Sequence, residues 1–70
     1  MFTVKRKIPS SGAWQESILS PFKNKKSAYE YCLKYGIYYP EEDRIYKIQN
    51  NTTTEIVTVD ILAKKIKIIK

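Results

Sequence analysis

The sequence predicts an α+β fold in one small domain, and three observations carry that prediction. Short segments of alternating apolar and polar residues flank a single stretch of helical periodicity, turn clusters separate them, and the resulting order is ββαββ. That order implies an antiparallel sheet of about four strands with one helix packed on one face. With 70 residues, the chain holds one domain at most, spanning 1–70, with no repeat, low-complexity tract or internal boundary.

Residues 2–8 open the fold. Phe2, Val4 and Ile8 alternate with Thr3, Lys5 and Lys7, the period of a half-buried strand. Pro9-Ser10-Ser11-Gly12 is a turn cluster, and residues 14–19 return as a second strand. A register pairing Ile8 with Trp14 sets Arg6 opposite Glu16 and Val4 opposite Ile18, which collects apolar residues on one face and matches charge across the strands. A one-residue slip would pair Lys5 with Glu16 and Lys7 with Trp14 and bury less apolar surface. The first register is therefore predicted.

Ser20-Pro21-Phe22 ends this strand, since proline cannot donate to a ladder. Asn24 is the predicted N-cap of a helix over 25–35. Ala28, Cys32 and Tyr35 share one face with Tyr29 beside them, and Ser27, Glu30 and Lys34 share the other. Glu30 and Lys34 form a favourable i, i+4 pair, and Gly36 is expected to close the helix in the left-handed conformation. A loop follows over 37–43, with Pro40 and the acids Glu41, Glu42 and Asp43. Residues 44–49 form the third strand, Asn50-Asn51-Thr52-Thr53 a turn, and the β-branched run 54–62 the last full strand. Val57, Val59 and Ile61 face one way there, Thr58 and Asp60 the other. Residues 63–70 read as a basic closing strand or tail.

Composition excludes most active-site chemistry. The chain has no histidine and one cysteine, so imidazole bases, Ser-His-Asp or Cys-His arrangements, an internal disulfide and the usual zinc ligand sets are all ruled out. The two glycines make no phosphate loop. The acids 41–43 lack the spaced ligands of a calcium loop, and Cys32 on the apolar helix face reads as a buried, inert thiol. No catalytic residue, metal or cofactor is expected, and the chain reads as non-enzymatic. No apolar run approaches the roughly 20 residues of a membrane span. The basic start lacks the apolar stretch of a secretory signal, so a cytoplasmic location is the expectation.

Binding surfaces remain. The net charge is +6 and the pI about 9.5, which favours acidic partners. Basic residues fall in three groups: Lys5, Arg6 and Lys7; Lys23, Lys25 and Lys26; and Lys64, Lys65, Lys67 and Lys70. They read either as a ridge that tracks phosphates, with tyrosines to stack on bases, or as lysines that protect sheet edges from aggregation. Tyr29, Tyr35 and Tyr46 read as core or core-edge residues. Tyr38 and Tyr39, in a loop beside Glu41, Glu42 and Asp43, have the character of interface anchors; packing across the helix end explains them equally.

A hairpin bearing Gly12-Ala13-Trp14, then Ser20-Pro21-Phe22, a helix with Ala28 and Tyr31, and Arg44-Ile45-Tyr46-Lys47-Ile48 resembles, over residues 2–62, small phage-encoded accessory proteins. The resemblance implies a ββαββ-type fold and an accessory role in infection, and it carries over no functional residues. Three functions compete on these grounds. The first is stoichiometric binding of a host protein, in the host cytoplasm, that modulates or inhibits it. The second is a basic nucleic-acid-binding module. The third is a self-assembling structural protein, a homodimer or larger, joined through its last strand.

Overall fold

The computed structural model describes residues 1–69. They run β1 (Thr3–Lys7), β2 (Trp14–Glu16), α1 (Lys25–Gly36), a 3-10 turn (Glu41–Asp43), β3 (Ile45–Gln49), β4 (Thr54–Asp60) and β5 (Lys65–Ile68). The α+β class stands, but the order is ββαβββ and the sheet has five strands, all antiparallel, arranged β2-β1-β3-β4-β5. The extra strand is the basic closing segment, which pairs with β4 over Lys65–Ile68. Lys70 lies outside the described residues.

β4 stops at Asp60, two residues short of its predicted end, because the chain turns there. Asp60 Oδ1 accepts the Ala63 N–H at 3.0 Å, and Lys64 adopts a positive φ of 54° as it donates to the Ile61 carbonyl. This tight return brings β5 back along β4.

The first hairpin takes the register that apolar matching disfavoured: Lys5↔Glu16, Arg6↔Gln15 and Lys7↔Trp14. Turn geometry decides it. Gly12, at φ 71°, donates to the Ile8 carbonyl, and Ile8 closes a four-residue loop by donating to Ala13. Val4 therefore meets no Ile18. The return strand is only three residues long, and Ser17–Ser20 turns outward, leaving Ile18 95% exposed. The Ser20 hydroxyl stands in for the missing strand: it accepts the Val4 N–H at 2.9 Å and donates to the Val4 carbonyl at 3.3 Å.

Asn24 caps α1 as predicted, its Oδ1 accepting the Ser27 N–H at 2.8 Å. The other helix end differs. Gly36 is not left-handed; it is the last helical residue and is buried. A Cβ there would sit 3.3 Å from Val59 Cγ1, so the glycine admits close approach of α1 to β4. Arg44 serves the helix end instead, its Nε donating to the carbonyls of Gly36 at 3.0 Å and Tyr39 at 2.8 Å. A cation at the C-terminus also complements the helix dipole.

The core lies between α1 and the sheet. Val4, Ala28, Cys32, Tyr46, Ile48, Val57 and Val59 are buried, so the apolar helix face runs through Ala28, Cys32 and Gly36 and not toward Tyr35. At one rim, Glu55 accepts from Lys25 Nζ at 2.8 Å and from the Tyr29 hydroxyl at 2.5 Å. α1 packs on β3, β4 and β5, which leaves the β1–β2 half of that layer open.

Candidate functional site

The uncovered half of the helix layer forms a groove of about 340 Å³. Its floor is β1 and β3, through Val4, Arg6 and Tyr46. One wall is β2 with the Ser17–Leu19 turn, and the other is Tyr31, Tyr35 and Tyr39. Helical spacing builds that second wall. Tyr31 and Tyr35 stand one turn apart on the flank of α1 that overhangs β1, with ring centroids 4.8 Å apart. Phe22 extends the row at one end, 5.3 Å from Tyr31, and Tyr38 at the other, 6.2 Å from Tyr35.

Two polar groups in this aromatic groove lack partners among the described residues. The Arg6 guanidinium lies 4.0 Å over the Tyr39 ring and pairs with no carboxylate, the one ion pair being Lys25–Glu55. The Tyr46 hydroxyl is fully buried and makes no hydrogen bond. Burial drives its pKa well above the ordinary phenol value; Tyr31 and Tyr39 push the same way and Arg6 opposes them. The groove thus offers apolar walls and one cation, with the buried hydroxyl beneath its floor, a combination suited to an apolar or aromatic group that also carries a negative charge.

β2 adds a backbone element. Ile8–Ala13 and Val4–Ser17 contacts flank the hairpin register, and ladder bonds alternate. Trp14 and Glu16 therefore turn their N–H and C=O groups away from β1, toward the free sheet edge.

The predicted site residues scatter. Tyr39 lines the groove and Tyr38, 72% exposed, extends its aromatic wall, so this pair is brought to the site. The acids are not: Glu41 sits beside Arg44, Asp60 and Lys67 at the far end of the sheet, and Glu42 is exposed. Among the described residues no three acidic or thiol groups converge as a metal site. The basic residues divide between two layers. Lys5, Lys7, Lys65 and Lys67 lie on the sheet face opposite the helix, and Lys64 sits in the β4–β5 turn. Lys23, Lys25 and Lys26 belong to the helix side, where Lys25 is committed to Glu55. Sequence reasoning missed Tyr31 and the pairing of Arg6 with the groove; the i, i+4 tyrosines were the signal for the wall.

Cys32 is buried, and burial pushes its pKa up to about 12. No helix of the described residues is long and apolar enough to cross a membrane. The chain matches no protein-family model, no curated protein and no solved structure.

Proposed function

We propose that this domain is a non-enzymatic, stoichiometric binding module that takes an extended, acid-bearing segment of a partner protein into the tyrosine-lined groove. The observation that carries it is the unpaired Arg6 at the floor of an aromatic cleft next to a sheet edge. A segment laid along β2 gains main-chain bonds from Trp14 and Glu16, while one side chain enters the groove, as in other strand-addition modes. A carboxylate on that side chain meets Arg6. The aromatic row gives rigid contact area at low entropic cost.

A stoichiometric role fits the thiol chemistry, because burial pushes the Cys32 thiol up to about 12 and so disfavours the nucleophilic thiolate at neutral pH. On the resemblance to small phage-encoded accessory proteins, the partner in this reading is a host protein met in the cytoplasm, whose activity falls when the segment is sequestered.

Selection from a displayed random-peptide library tests it. Enriched peptides should carry Asp or Glu beside apolar residues and bind one to one by calorimetry. Arg6→Gln and Tyr35→Ala should each weaken them at least tenfold with circular dichroism unchanged. Peptides that bind both variants as well as the native chain would refute the groove as the site.

A further inference from the structure

The sheet face opposite the helix is a second surface. Residues paired across strands share a face, so the registers set Lys5, Lys7 and Lys47 near Trp14 there and Lys65 and Lys67 at the opposite sheet edge, with Glu16 and Asp60 as the acids of the same face. Lys5 and Lys47 are directly opposed on the inner strands β1 and β3, an arrangement that like-charge repulsion disfavours. Edge protection accounts for Lys65 and Lys67 on β5, but it asks nothing of β1 and β3. Solubility alone does not account for Trp14 either. Its large ring is only half-buried on this outer face, with Lys47 Nζ 4.5 Å from the ring centroid.

We propose that this face binds single-stranded nucleic acid, with a base stacked on Trp14 and phosphates held by Lys5, Lys47 and the flanking lysines. The face is a sheet about 20 Å wide, from five strands at roughly 4.8 Å spacing. It carries no projecting helix or ribbon to enter a duplex groove, and an indole stacks only on a base that is free of its neighbours. Opposed lysines that repel each other in the free domain gain most from a polyanion between them. This surface is separate from the groove, and either can fail without the other.

Trp14 is the chain's one tryptophan, so its emission reports directly on the face. Titration with an oligothymidylate of about a dozen nucleotides should quench it. The slope of log K on log salt should be about −3, for some four phosphates at roughly 0.7 each. The double variant Lys5→Ala, Lys47→Ala should bind at least tenfold more weakly and lose about 1.4 from the slope. Removing the same charge from the helix side, with Lys23→Ala and Lys26→Ala, should change affinity less than threefold. By fluorescence anisotropy of a labelled oligonucleotide, Trp14→Phe should weaken binding while keeping the salt slope. Absence of quenching at low salt would overturn the proposal. So would equal affinity for a duplex of the same length, for vesicles rich in phosphatidylserine, or for the two double variants.

Discussion

Tyr46→Phe is the sharpest single test of the groove floor. Tyr46 is 2% exposed, and its hydroxyl has no partner among the described residues. Replacing an ordinary buried tyrosine by phenylalanine removes a hydrogen bond and costs about 1 kcal/mol. Here it removes an oxygen that lost its hydration on folding and recovered nothing, so the variant should be more stable by about 1–2 kcal/mol. In a domain this small, 1 kcal/mol moves Tm by about 7 °C, and the expected rise is therefore roughly 5–15 °C by calorimetry. Binding should not follow. An acidic groove peptide raises the Tm of the native chain by mass action, and that increment should persist in the variant because the buried hydroxyl does not reach the groove. A fall in Tm of several degrees would refute the reasoning, since it would show that the hydroxyl is bonded in the free protein.

Three further substitutions probe the fold that holds the groove. Ser20→Ala removes two side-chain hydrogen bonds to the Val4 backbone, whose carbonyl keeps the Ser17 N–H, and should destabilise by about 1–3 kcal/mol, read by urea denaturation; a loss within 0.5 kcal/mol would show that the adjoining turn closes on Val4 unaided. Gly36→Ala drives a methyl to within 3.3 Å of the buried Val59 side chain. The overpacking should outweigh the gain in helix propensity and cost about 1 kcal/mol net, and a stabilised variant would show that α1 has room to lift. Glu55 is held below the usual carboxylate range by the Lys25 ammonium and then by the Tyr29 hydroxyl. Its contribution is present above its unfolded pKa of about 4.3 and is lost as pH falls through the lower folded value. Glu55→Gln should remove about 1 kcal/mol at pH 7 and flatten the acid limb of a stability–pH curve; parallel acid limbs would refute the assignment.

Local chemistry was legible in the sequence where one short segment decides the outcome. Asn24 and the Ala28–Cys32 spacing predict the capped helix, and the β-branched run predicts β4. The hairpin register was not legible, because two details outside the apolar pattern settle it: the left-handed Gly12 closing the loop on Ile8, and Ser20 reaching across to Val4. Weighing apolar area alone favours the wrong face for Trp14. Gly36 carries a helix-stop signal, yet the proximity of Val59, 23 residues later, gives it a packing role instead. The groove was only half legible. Tyr38 and Tyr39 stand out as loop aromatics, but Arg6, Tyr31 and Tyr46 come from three different elements, and only the sheet order β2-β1-β3 makes them neighbours. Lys47, isolated in sequence, belongs to the basic face for the same reason.

That sheet order also constrains how the protein is made. β1 leaves the ribosome before the rest of the sheet but sits inside it, and its inner neighbour β3 is some forty residues away in the chain. The early hairpin alone is a two-stranded ribbon, marginal in water. The β1–β2 hairpin must therefore wait, unfinished, until Gln49 has been synthesised and clears the exit tunnel. A nascent chain arrested before that point should be digested readily by protease, and one arrested well after Lys70 should resist it.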